Sequence, residues 1–165
     1  MVSFIRENSL FLIEKQKVGF WSNLLPIYIY EEDDLDEPSK KQLSILKYLE
    51  NSNNYYIEQM NLLFLDFCNI VGGEVVGKNP SFEISDISIP NLADLNEVIF
   101  VVGAKISWDK EMDINFFIFN STVIACDYID AIFYGTSWDK VIHSQNMQEL
   151  KENIRLFLER YFHFR

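Results

Sequence analysis

The sequence predicts an α+β domain: a mainly antiparallel sheet that carries a helical hairpin from the N-terminal half and a C-terminal amphipathic helix packed on it. Three observations predict this. Residues 97–128 are dense in β-branched and aromatic side chains, the signature of a pleated, buried surface. Residues 38–71 place apolar side chains at spacings of three and four, interrupted at Asn51-Ser52-Asn53-Asn54. Near the C-terminus, Leu150, Ile154, Phe157, Leu158, Tyr161 and Phe162 repeat the helical spacing, and Asn146 with Glu149 resembles a capping box.

Taken in order, residues 2–5 and 10–13 are short apolar runs separated by Glu7, Asn8 and Ser9, which predicts a first hairpin. Gly19, Phe20 and Trp21 lead into an extended run over 24–30. Pro26 cannot donate to a ladder, so that strand either starts there or lies at an edge. Residues 31–37 hold Glu31, Glu32, Asp33, Asp34, Asp36 and Glu37, six acids in seven positions. Such a segment cannot be buried and is expected as an exposed loop. Pro38 suits the first position of a helix over 38–50, with Asp36 and Glu37 complementing its dipole. A second helix carries Tyr56, Met60, Leu63, Phe64, Phe67, Cys68 and Val71, and Gly72-Gly73 closes it. Leu62 and Leu65 widen its apolar face, which predicts a helix sandwiched between layers. The short break predicts antiparallel packing of the two helices.

A loop is expected over 74–80, then an extended segment with a kink over 82–90 and a connection over 91–96. Residues 97–111 read as one long strand that ends in Trp108, Asp109, Lys110 and Glu111. A hairpin over 114–128 follows, with its turn at Asn120-Ser121. Ile114, Phe116 and Ile118 point one way and Phe117 and Phe119 the other, so both faces should be covered. Residues 130–145 around Trp138 and His143 give no clear pattern. Residues 1–165 suit a single domain, large enough to bury roughly 70% of its unfolded surface.

The charge balance narrows the partners. The chain has 14 Lys and Arg against 25 Asp and Glu, a formal net charge of −11. Direct binding of nucleic acid or of an anionic membrane needs a basic face, so neither is expected. A basic protein is the complementary partner. No apolar run reaches membrane-spanning length, and the N-terminus shows no basic region followed by an apolar stretch and a cleavage site. The expectation is a cytoplasmic chain. Cys68 and Cys126 fall in apolar runs and read as reduced core residues.

Candidate chemistry centres on Trp108, Asp109 and Glu111. On a strand Asp109 and Glu111 share a face, where a carboxylate pair could bind a metal or act as acid and base. The plainer reading is a polar strand end with Trp108 capping the core. No third ligand is identifiable, so no metal and no cofactor is expected. The acidic loop lacks the alternating pattern and glycine of a calcium loop. His143 and His163 are too few and too isolated for a zinc site or a triad.

Two pieces resemble a family of small uncharacterised bacterial α+β domains found near polymorphic-toxin and immunity genes. One is the acidic loop with Pro38-Ser39, Gln42-Leu43 and the Leu-rich helix; the other is the strand ending Trp108-Asp109-x-Glu111 with the following turn at Asn120 and with Asp130. Where those relatives continue His-Gly, this chain has Met112-Asp113, so any ligand role of that His is absent. The resemblance implies an immunity protein, not an enzyme, that binds and blocks a cognate toxin or other basic protein. Glu31, Glu32, Asp33, Asp34, Asp36, Trp108, Asp109 and Glu111 are then the candidate partner-binding residues. The alternatives are a structural or homo-oligomeric module, or a small metal-assisted or acid–base enzyme using Asp109 and Glu111.

Overall fold

A computed structural model describes residues 3–7, 10–30, 36–90 and 97–128, with 148–149, 152–153 and 155–156. Among the described residues seven strands form one sheet: β1 (Ile5–Glu7), β2 (Leu10–Gln16), β3 (Leu25–Tyr30), β4 (Phe82–Ile89), β5 (Ile99–Ile106), β6 (Asp109–Phe119) and β7 (Thr122–Tyr128). Their spatial order follows the chain. Every neighbouring pair is antiparallel except β3 and β4, which run parallel. Parallel neighbours need a long crossover. The helices α1 (Lys40–Glu50), α2 (Tyr55–Val71) and α3 (Gly73–Val76) occupy it.

The α+β class and the mainly antiparallel sheet follow the sequence reading, with corrections in detail. Helix α1 starts at Lys40 rather than at Pro38, because Ser39 caps it and Gln42 completes a capping box. No acid lies in its first turn, so Asp36 and Glu37 do not play the dipole role expected of them. Pro26 lies at the start of an interior strand, between β2 and β4. The segment after Gly72 opens with the helical turn α3 before it becomes a loop. The long strand over 97–111 is instead a hairpin: β5 ends at Ile106, Ser107 and Trp108 turn, and Asp109 begins β6.

Alternation along the strands builds a core on one face of the sheet. Ile13, Ile27, Ile87, Val102 and Phe116 stand side by side through the register and are all buried. Helix α2 lays Tyr56, Met60, Phe64 and Phe67 on this face. Edge-to-face pairs fix its seat: Tyr56 on Phe100 at 5.7 Å, Phe64 on Phe82 at 4.9 Å and Phe67 on Tyr128 at 5.0 Å. Phe117 and Val101 point to the opposite face and are buried too, so both faces of the central strands are covered, as the alternation predicts.

Helix α1 is tied to the sheet by polar anchors. Buried Gln42 donates to the carbonyls of Tyr30 (2.6 Å) and Pro90 (3.3 Å), at the ends of the parallel pair, and accepts from the Ser39 amide at 2.9 Å. At its other end the Gly19 amide donates to the Leu49 carbonyl at 2.8 Å. A Cβ on Gly19 would stand 1.8 Å from the Ser52 carbonyl oxygen, so only glycine permits this approach. The hydroxyls of Tyr48 and Tyr56 link the two helices at 2.5 Å. Burial and then the Tyr48 hydroxyl push the Tyr56 phenol well above its ordinary pKa.

The expected C-terminal helix is described at six residues, all helical, with Arg155 in an exposed pair with Glu152. Its packing on the sheet lies outside the described residues, as do residues 31–35 and the segment around Trp138 and His143.

Candidate functional site

The sequence singled out two groups of residues, and the strands set the described member of the first, Asp36, far from the second. Asp36 lies beside β1, its carboxylate 3.6 Å from the Arg6 guanidinium and fully exposed. Arg6 is level through the register with Phe11, Ile29 and Ile89. Trp108 sits in the turn after Ile106, which pairs with Phe82. Phe82 and Ile89 are the two ends of β4, ~23 Å apart at about 3.3 Å per residue. Asp36 therefore borders one end of the sheet and the Trp108 turn the other. They do not form one contiguous site. Glu31, Glu32, Asp33 and Asp34 lie outside the described residues.

The Trp108 turn has a structural job. The indole stacks on Phe64 and Phe67, with centroids 5.7 and 6.3 Å away, and its Nε1 donates to the Tyr128 hydroxyl at 3.3 Å. Asp109 accepts from the backbone amides of Glu111 (2.9 Å) and Met112 (3.2 Å) through one carboxylate oxygen. A short acid that folds back on its own backbone in this way nucleates a turn. Glu111 is exposed. Among the described residues, no group of three or more His, Cys, Asp or Glu is placed to hold a metal ion.

A second polar feature lies on the opposite sheet face from α2. The β4 bulge between Ile84 and Asp86 sets Asp86 opposite Gly103. A Cβ on Gly103 would meet the Asp86 carboxylate at 2.5 Å, so the missing side chain is what admits the acid. Burial raises the Asp86 pKa; the Ser85 hydroxyl, which donates at 2.6 Å, opposes this, Asp113 adds to it and Lys105 offsets it. Cys68 and Cys126 are buried and unbridged, and burial pushes the Cys68 thiol up.

The largest departure from the sequence reading is α2. It is not sandwiched. Leu62, Leu65 and Ile70 are 67%, 55% and 66% exposed, on the side turned away from the sheet. Tyr55 and Val75 extend the exposed apolar surface before and after them. Beside Leu65 runs a groove of about 390 Å³, lined by Trp21, Ile57, Phe64 and Phe82. The Trp21 Nε1 is buried with no acceptor among the described residues. The sequence signal for this surface is present: leucines at positions off the core stripe. Periodicity alone cannot say whether such leucines are covered or bare.

No family model matches the chain, and no curated protein or solved structure is found to be similar to it. Among the described residues no helix is long and apolar enough to cross a membrane.

Proposed function

We propose that this protein is an immunity-type inhibitor that binds and neutralises a cognate toxin domain in the cytoplasm. A basic, nuclease-like effector domain is the partner that its charge suits best. The observation that carries this reading is the net charge of −11. A strongly acidic domain attracts a basic partner from a distance and orients the encounter before contact, an effect that salt weakens. Nuclease domains present basic clefts to phosphate, and an acidic protein seated there excludes the substrate. The acidic stretch Glu31, Glu32, Asp33 and Asp34, with exposed Asp36, supplies the densest negative charge of the sequence. Asp109 supports an enzyme reading poorly, since its carboxylate is already engaged by two backbone amides.

The experiment is co-expression. The product of the neighbouring gene, expressed alone, should arrest growth of the host cell, and co-expression of this chain should restore it. A neighbour that is harmless, or whose toxicity this chain leaves untouched, contradicts the proposal. A self-associating module is the second reading, favoured by the bare leucines of α2. Sedimentation of the purified chain separates the two.

A further inference from the structure

We infer that the outward face of α2 is the docking surface of this protein, and that its occupant is a basic amphipathic helix of the partner. The inference rests on the reading of the chain as a binder of basic proteins, and adds to it the contact face and the chemistry that fits there. Helix α2 has 17 residues, about 26 Å of cylinder. Its inner side is consumed by the sheet. On its outer side, positions three and four apart bring Tyr55, Leu62, Leu65 and Ile70 together with Glu58 and Asp66.

Two properties of that side point to the occupant. First, Leu62 and Leu65 are neighbours one turn apart, and with Tyr55 and Ile70 they are large and more than half exposed. The groove beside Leu65, floored by Phe64 and Phe82, adds a concavity on the flank of the helix that Leu65 borders. A ridge of leucines beside a groove is the shape that the knobs of a second helix fill. Second, the charges within α2 are all negative: it carries Glu58 and Asp66 and no Lys, Arg or His. Exposed Glu74 continues the same sign beyond its C-terminal end. A second copy of this chain would set Glu58, Asp66 and Glu74 against their own kind, between bodies that each carry −11. A helix with leucine-like knobs flanked by Lys or Arg complements both the apolar ridge and Glu58 beside it.

The test uses a labelled amphipathic peptide made of Leu on one helical face and Lys on the other, with a Leu and Glu peptide as its counterpart. Fluorescence anisotropy against the purified full chain should show binding of the Leu–Lys peptide and none of the Leu–Glu peptide. The double variant Leu62→Ser/Leu65→Ser should weaken the Leu–Lys peptide at least ~10-fold. Glu58→Lys, an exposed position, should weaken it about 3-fold. Equal affinity for the wild type and the double variant would show that charge alone draws the peptide, and overturns the inference. So does a failure of the peptide to bind. A wild-type dimer that the double variant dissolves overturns it in another way, by making a second copy the occupant. Growth rescue by co-expression is independent of all these outcomes, so loss of the docking face and loss of the inhibitor reading are told apart.

Discussion

Helices α1 and α2 sit on the same sheet and follow one another in the chain, yet they meet solvent in different ways. The outer side of α1 offers Lys40, Ser44, Lys47 and Glu50, with Leu43 its one exposed large apolar residue. That is an ordinary solvated helix, fixed by Gln42 at its start and Gly19 at its end. Helix α2 has no side-chain cap at Asn54, and its first turn meets the β6–β7 turn through the Tyr56 hydroxyl, which donates to the Asn120 carbonyl at 3.0 Å. Ring contacts and the Gln59 side chain, which bonds Ser121 and Val123, complete its seat. The difference teaches that α1 is built for holding the fold, and that α2 holds the fold with one side while leaving the other side unspent.

Four substitutions break or sharpen this contrast. Phe64→Ala removes the ring under Trp108 and Phe82 and should cost ~3–5 kcal/mol in a denaturant titration, because the site sits between sheet and helix and cannot collapse. Gly19→Ala drives a methyl group into the Ser52 carbonyl, and should cost about 3 kcal/mol by thermal melting, through displacement of the α1 C-terminus. Gln42→Ala leaves the Tyr30 and Pro90 carbonyls without their buried donor, a loss of ~2–3 kcal/mol. Trp21→Phe, at the groove beside α2, removes a buried donor that has no acceptor among the described residues. The gain offsets the lost ring volume, so stability should change by less than about 1 kcal/mol.

A pH measurement probes the opposite face of the sheet. The folded pKa of Asp86 is raised, so the unfolded chain gives up this proton first as pH rises. Stability contributed by the protonated acid is present at low pH and is lost as pH climbs from the unfolded carboxylate value through the raised one. Asp86→Asn should therefore be more stable than the wild type at neutral pH, and the advantage should fade on acidification through the carboxylate range. An advantage that grows on acidification contradicts this assignment.

Much of the fold was legible because it rests on local chemistry. Strand alternation showed both the buried Phe116–Phe117 pair and the Asn120 turn, and the glycines after Val71 marked the end of α2. Two kinds of feature were hidden. The β5–β6 turn was hidden because Trp108 and Asp109 continue a strand-like pattern, and only the Asp109 carboxylate on the Glu111 amide reveals the reversal. The β3–β4 pairing was hidden because it is set across the whole helical crossover, beyond the reach of neighbouring residues. For the candidate site the reverse holds. The sequence displays Asp36 and Trp108 plainly but cannot show that they border opposite ends of the sheet, while Leu62 and Leu65 look like core until their exposure is seen.

The most direct test pairs stability with binding in one sample. Leu62→Ser/Leu65→Ser should melt at nearly the wild-type temperature, since exposed side chains change stability by about 0.5 kcal/mol or less, while its affinity for the basic partner falls at least ~10-fold. Unchanged melting with unchanged affinity would mean that the bare side of α2 takes no part in what this protein binds.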